Sequence, residues 1–386
     1  MFYIIAFIYS LLVLPPTLYL LLISLAGIKQ PKRHAPAIPI SGTIGILIPA
    51  HNEALNIQRT IESISQAAQK NGAVEINVIA DNCSDNTAEL ARATGVNVLE
   101  RHNKTIRGKG AALQWAMAEL ANQNYDFTMI IDADSIVNEA FFHELRCKLN
   151  EPGCEVVQTR YEAMVNEHSS IKRLAMLGFN ILRARGRMAL GGSAGIMGNG
   201  FVLSKATLEK VPFQSNSIVE DLEYHMRLVE ANIRVTFCNE ARIYGEMPTS
   251  HAASDIQSSR WEGGRIRVLK AMWWPLLKQF CLGLTKGQWH ALEALLDLML
   301  LPIGYMVMVL FAALLFPYTR GIGLFGFMVI GIYILGAAYC GRGISELVVL
   351  KRVPEFLFRK LCRLPHLFHS CSGKAAWQRT PRDQKK

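Results

Sequence analysis

Two carboxylates, Asp132 and Asp134, stand directly behind the apolar run of "FTMIIDADSIVNEAFF". Acidic side chains are costly to hold at the inner end of a hydrophobic strand unless something compensates them. Two residues apart on an extended chain, both point to the same face. Hard oxygen donors so placed can hold Mg2+ or Mn2+ while leaving coordination positions open for a diphosphate. The competing reading makes them loop acids that cap the following helix, a task Ser135 or Asn138 would do as well. Other polar clusters raise the same question. "PAHNE" offers Glu53, and "IADNCSDNTA" offers Asp81 and Asp85. A carboxylate there can accept from a nucleobase N–H or a ribose hydroxyl, or merely cap a helix that starts at Thr87. "IRGKGAAL" sets Lys109 between two glycines at a helix start, which suits phosphate. A solvated lysine is the plainer alternative.

These residues need elements to carry them. "TIGILIPAHNE" is an apolar run stopped by Pro49, followed by helical spacing at Ile57, Ile61, Ile64 and Ala67. "VEINVIADNCSDNTAELARATG" repeats the plan, "VNVLERHN" is a third strand, and "GKGAALQWAMAELANQ" is a helix after a glycine-rich loop. "DFTMIIDADS" is the fourth strand. This alternation predicts an α/β fold, a Rossmann-like parallel sheet covered by helices. Ligands bind such sheets outside the carboxyl ends of the strands, where every cluster named above falls. The second half is less regular. "IKRLAMLGFNILRARGRMAL" reads as a basic helix for a membrane surface or an acceptor groove. "GGSAGIMGNGFVLSK" reads as turns where backbone approaches a ligand closely, and "IVEDLEYHMRLVEAN" as a helix opening on Glu220 and Asp221.

The chain's ends differ from its middle. Over 386 residues, 51% are hydrophobic and 19% charged, too apolar for an ordinary soluble enzyme and too charged for a pure membrane bundle. Phe2 to Ile28 contains no charge and is long enough to cross a bilayer. Its length and the absence of a basic residue before it disfavour a signal peptide. Lys29, Lys32 and Arg33 follow, so the positive-inside rule places what comes after in the cytoplasm. Leu292–Phe316 and Ile322–Cys340 predict a hairpin. From Arg342 on, 11 Lys/Arg face 3 Asp/Glu, most of the chain's net +10. Bulky apolar residues mixed with these charges fit an anionic inner leaflet rather than nucleic acid. Cys362, His366, His369 and Cys371 match no common zinc spacing, and the eight cysteines should stay reduced. The expected organisation is a transmembrane helix (1–28), a basic linker (29–42), a cytoplasmic catalytic domain (43–265), an interfacial amphipathic helix (266–288), a transmembrane hairpin (289–340) and a basic cytoplasmic tail (341–386).

P-A-H-N-E, A-D-N-C-S-D-N-T, R-G-K-G-A-A-L, D-A-D, V-E-D and Q-S-S-R-W fall in one order along the chain. That order resembles glycosyltransferase family 2, in its membrane-integrated QxxRW branch of cellulose, hyaluronan, chitin-oligosaccharide and poly-N-acetylglucosamine synthases. The resemblance implies a nucleotide-binding glycosyltransferase A-type domain with about three transmembrane helices, a UDP-sugar donor and Mg2+ or Mn2+. Carried over, it implies that Glu53 and Asp81 contact uridine and that Lys109 lies near the nucleotide. Asp132 would touch the nucleotide sugar, and Asp134 would bind the metal. Asp221 would be the base that deprotonates the acceptor. Asn199 and Glu220 would lie with the acceptor, Gln257 would close that side of the donor, Arg260 would meet the diphosphate and Trp261 would sit under the acceptor sugar. Trp261 as a core aromatic is the alternative. Many members carry two acids in the second loop, where this chain has Ala80 before Asp81. The acceptor is expected to be lipid-linked or a saccharide, because three spans are too few for one chain to build a channel. A processive synthase that works as a homo-oligomer or with an export partner, and a catalytically silent scaffold, are the competing readings.

Overall fold

The structure is a computed structural model that describes residues 2–29, 39–69, 71–164, 170–214, 219–247, 251–283 and 289–363. Helix α1 (Phe2–Ile28) comes first, then β1 (Ile44–Ala50), α2 (Ile57–Ala68), β2 (Val74–Asp81), α3 (Thr87–Arg92) and β3 (Asn97–Arg101). Next come α4 (Lys109–Glu119), β4 (Phe127–Ile130), β5 (Ser135–Val137), α5 (Phe141–Leu149) and β6 (Val156–Ala163). A second helical stretch holds α6 (Ser170–Met176), a π-helical turn (Leu177–Leu182) and α7 (Arg183–Ala189). Then follow β7 (Phe201–Ser204), α8 (Lys205–Lys210), α9 (Glu220–Glu230) and β8 (Val235–Gly245). The rest is helical: α10 (His251–Gly283), α11 (His290–Met299), α12 (Ile303–Leu314), α13 (Arg320–Cys340), a 3-10 stretch (Gly343–Arg352) and α14 (Val353–Cys362).

Two compact units result. The sheet unit comprises residues 32–164 and 194–247. Its strands lie in the order β3-β2-β1-β4-β7-β6-β8-β5. The predicted parallel sheet holds for β3-β2-β1-β4, all parallel. Beyond β4 it becomes mixed: β7 runs antiparallel to β4 and β6, β6 is parallel to β8, and β5 is antiparallel to β8. The glycine-rich segment that leads into β7 is no crossover helix, so nothing imposes a parallel connection there. Strand β1 is flanked on both sides and buried almost throughout, which is why "IGILIPA" is continuously apolar. Ile57, Ile61 and Ile64 bury one stripe of α2 against Ile46, Ile48, Phe141 and Leu145 in the core.

The helical unit comprises residues 1–31, 165–193 and 248–386. Helices α1 and α13 are long and apolar enough to cross a membrane; α11 and α12, bent by 77° at their break, make a third span if taken together. The expected span over 292–316 thus carries a bend. Pro302 cannot continue the helix. Glu293 and Asp297 on α11 are buried, and Arg183, Arg187 and Arg265 hold them. The same ion pairs explain why the expected 43–265 range is interrupted. Residues 165–193, which looked like a surface or groove helix, belong to this unit with Arg183, Arg185 and Arg187 buried. Helix α10 runs unbroken through the expected 265/266 boundary, and Trp273 and Trp274 on it are exposed. Of the Cys362–Cys371 cluster, only Cys362 lies within the described residues.

Gly27 and Gly186 let α1 and α7 touch backbone to backbone. A Cβ on Gly186 would stand 1.9 Å from the Ile23 carbonyl oxygen, and one on Gly27 2.1 Å from that of Leu182. Small residues at such contacts are what membrane helices use to pack closely. Gly186→Ala should therefore lower the melting temperature of the detergent-purified protein, at a cost of about 1–3 kcal/mol. Gly331→Ala, where a Cβ meets nothing within 4 Å, is the matched control. Equal melting of the two variants would contradict the contact.

Candidate active site

Each cluster singled out in the first four strands leaves the sheet at a carboxyl end. Strands β2, β1 and β4 are adjacent and parallel. Their ends carry Asp81, then His51 to Glu53, then Asp132, with Asp81 and Asp132 roughly 10 Å apart at two strand spacings. Asn52 and Asn82 turn the first two loops with φ of 57° and 51°, a backbone region that Asn tolerates better than most residues. His51 Nδ1 lies 2.6 Å from the Asp81 carbonyl oxygen, and Asn52 Oδ1 accepts the Ser84 N–H at 2.7 Å, so the two loops form one floor.

Capping falls to Asp85 and not to Asp81. Asp85 accepts the Thr87 N–H at 3.1 Å, the Thr87 hydroxyl at 2.5 Å and the Ala54 N–H at 3.2 Å. Burial pushes its carboxyl up, but the Thr87 and Ala54 donors outweigh that and hold it below the usual range. Asp81 faces Arg101 across the β2–β3 register, with Nη1 to Oδ1 at 2.6 Å and both side chains buried. Asn82 donates to the same Oδ1 at 2.8 Å. Arg101 was not singled out in the sequence; only the strand register reveals it. Glu53 is buried, accepts from Asn56 Nδ2 at 3.2 Å, and offers its carbonyl to the first turn of α2.

The tightest convergence lies around Lys109. Its Nζ donates to Asp132 Oδ1 and to the Gly198 carbonyl. Gly108, at φ 115°, turns the chain into α4 so that Lys109 starts the helix. Gly198, at φ 76°, brings the glycine-rich segment so close to α9 that a Cβ there would stand 2.8 Å from Asp221 Oδ2. Asp221 Oδ1 accepts the Leu222 N–H at 2.8 Å in the first turn of α9. Burial would pull the Lys109 ammonium down, but Asp132, Glu220 and Asp221 overcome it and hold it above the usual lysine value.

Neither acid of D-x-D caps α5, which begins at Phe141 with no side-chain cap. Asp134 is buried, with the Ser135 hydroxyl 3.5 Å from its Oδ1. Asn199, expected at the acceptor, is held by its neighbours. It is 1% exposed, and its amide accepts the Asp132 N–H at 3.1 Å and donates to Ser135 Oγ at 2.9 Å. It braces the acids from behind, and Gln158 fastens its backbone at 2.8 Å. Among the described residues no three His, Cys, Asp or Glu side chains form a group that would hold a metal alone. Asp132 and Asp134 nevertheless have the hard-oxygen chemistry of Mg2+ or Mn2+. Such a donor set fits an ion that enters with a diphosphate supplying its remaining ligands.

Within the helical unit, Gln257, Arg260 and Trp261 lie on α10. Gln257 Oε1 and Arg260 Nε are buried with no hydrogen-bond partner among the described residues. Trp261 is 43% exposed, so the core role is set aside.

Residues 127–330, 204 of the 386, match the model of "Glycosyl transferase family group 2". The chain belongs to this family. The matched range includes Asp132, Asp134, Asp221 and Arg260, whereas Glu53, Asp81 and Lys109 precede it. Among curated proteins, a beta-monoglucosyldiacylglycerol synthase of Trichormus variabilis is 26% identical over 268 residues, 67% of this chain and 56% of that one. A poly-beta-1,6-N-acetyl-D-glucosamine synthase of Staphylococcus aureus is 25% identical over 256 residues, 63% of this chain and 60% of that one. The aligned region thus spans little more than half the length of these relatives. Among solved structures, a mannosyltransferase of Pyrobaculum calidifontis, in complex with GDP-mannose and Mn2+, shares the fold. Its TM-score is 0.54 at 15% identity, over 88% of this chain and 98% of that one.

Proposed function

We propose that this family 2 chain is an inverting, metal-dependent glycosyltransferase that moves a sugar from a UDP-sugar to a hydroxyl of a lipid-linked or saccharide acceptor. It would act at the cytoplasmic face of a membrane, in glycolipid or surface polysaccharide synthesis. The observation that carries the reading is the meeting of Lys109, Asp132, Gly198 and Asp221 at the carboxyl ends of the strands. Asp81, fixed by Arg101, and Glu53 hold the uridine. Asp132 holds the nucleotide sugar with Lys109 beside it. A divalent ion held by Asp134 would neutralise charge that grows on the leaving diphosphate.

The proton transfer belongs to Asp221. Its carboxylate takes the acceptor's hydroxyl proton as the oxygen attacks the anomeric carbon. The bond from that carbon to the diphosphate oxygen breaks, and UDP leaves with the electron pair, so one displacement inverts the centre. The buried, unpartnered Nε of Arg260 supports its assignment to the diphosphate, and Gln257 and the exposed Trp261 are assigned to the acceptor side. Release of UDP from a panel of UDP-sugars, with and without Mg2+ or Mn2+, tests the reading. Metal-dependent release with at least one donor is expected. No release with any donor, from protein that still binds UDP, would point to a silent scaffold instead.

A further inference from the structure

Arg101 closes β3, the edge strand of the sheet, and is buried there. A guanidinium is costly to bury unless its donors are used, and the two outer nitrogens of Arg101 serve different partners. Nη1 donates to Asp81 Oδ1 at 2.6 Å. Nη2 donates to the Ile106 carbonyl at 2.8 Å, within the loop between β3 and α4. Because the guanidinium is a planar, rigid fork, fixing one of these contacts constrains the other. One side chain thus sets the aim of the Asp81 carboxylate and the path of the chain that enters α4 at Lys109.

Neighbouring contacts hold that loop to the same place. Asn82 Oδ1 accepts the Asn103 N–H at 2.9 Å. Asn103 Oδ1 in turn accepts the Thr105 N–H at 3.0 Å and the Ile106 N–H at 2.8 Å. At Asp81 itself, Arg101 and Asn82 Nδ2 both donate to Oδ1, so a third donor would meet Oδ2. Paired with Arg101, the carboxylate is an acceptor only. Uracil offers N3–H where cytosine offers a lone pair. An acceptor fixed in this way takes the first and repels the second. Without the guanidinium, a buried carboxyl favours its neutral form, which carries an O–H of its own and can meet either base.

We infer that Arg101 is a positioning residue that makes Asp81 select uracil over cytosine and ties the loop before Lys109 to that choice. The inference rests on the proposed assignment of Asp81 to the uridine, and adds the group that decides which base is accepted. A plain strand-edge contact is the alternative, and it would bear on stability and not on the base.

Titration calorimetry of the full chain in detergent, with UDP and with CDP, separates the two. The wild type should bind UDP at least about tenfold more tightly than CDP, as a hydrogen bond to a charged group gives. Arg101→Gln should bring the two affinities within a few-fold of each other, mainly by weakening UDP. Arg101→Lys keeps the charge without the fork, so it should keep the preference, bind UDP several-fold more weakly and raise donor KM more than it lowers kcat. Where the glutamine variant does not fold, the lysine variant decides alone: UDP affinity and donor KM equal to those of the wild type would overturn the inference. A wild type that binds CDP as tightly as UDP would overturn the uridine assignment, and the inference with it. A wild type that prefers UDP, beside a folded glutamine variant with the same preference, would overturn the inference and leave the assignment standing, even if that variant melts lower.

Discussion

Asp221→Asn is expected to slow sugar transfer by about 10^3-fold while leaving UDP affinity close to that of the wild type. The two readouts separate because of where Asp221 stands. Its carboxylate rests against Gly198 and accepts the Leu222 N–H on α9, whereas Asp81, Arg101 and the β1 loop hold one another through contacts that do not include it. An amide of the same shape keeps both contacts and lacks only the basic oxygen. Lys109 keeps Asp132 as its direct partner, so the group nearest the nucleotide is not set loose. Product formation from a donor that the wild type uses, together with UDP titration calorimetry, makes the comparison. Loss of UDP binding in the variant would move Asp221 into the nucleotide site. Transfer within a few-fold of the wild type would remove it from the proton's path.

What the sequence revealed, and what it hid, follows the distance over which each residue finds its partner. Strand β1 and the isoleucine stripe of α2 are local patterns, legible in "IGILIPA" and in the spacing of Ile57, Ile61 and Ile64. Asp132, Lys109 and Asp221 were legible as types at element ends, because polar residues behind apolar runs have few other uses. That Lys109 reaches both Asp132 and Gly198 was not, since the partners come from chain segments 23 and 89 residues away. The Asp81–Arg101 pair depends on the β2–β3 register, which no single strand encodes. Asn199 was set with the acceptor by the resemblance alone. Here the turn it sits in carries its amide inward to brace Asp132 and Ser135. The mixed half of the sheet was hidden for a related reason: it is built by strands far apart in sequence, without the regular strand–helix alternation that marks the first half.

The arginines of α7 were the hardest to read, and they carry the second large prediction. In "NILRARGRMAL" they read as a basic helix for a membrane surface or an acceptor groove, yet Arg183 and Arg187 reach acids on α11 more than a hundred residues later. Asp297 is the shared anion. Arg183 and Arg265 both pair with it, Arg187 lies 3.6 Å from it, and Arg187 also pairs with Glu293 at 2.5 Å. Tyr19 of α1 donates its hydroxyl to Glu293 at 2.5 Å, which brings the first helix into the network. Among the described residues, Arg183 and Arg265 have no carboxylate partner except Asp297. Asp297→Leu therefore strands two buried guanidinium groups and should cost about 3–5 kcal/mol, a large share of what holds a protein folded. The purified variant should melt far below the wild type or fail to yield monodisperse protein. Adding Arg183→Leu and Arg265→Leu to Asp297→Leu removes the stranded charges and leaves Arg187 with Glu293, so the triple variant should recover stability that the single variant lost. Removing more of the network would then stabilise the protein, an outcome that additive contacts cannot produce. A triple variant that melts lower still would mean that the arginines act through packing, and that Asp297 is not the anion on which their burial depends.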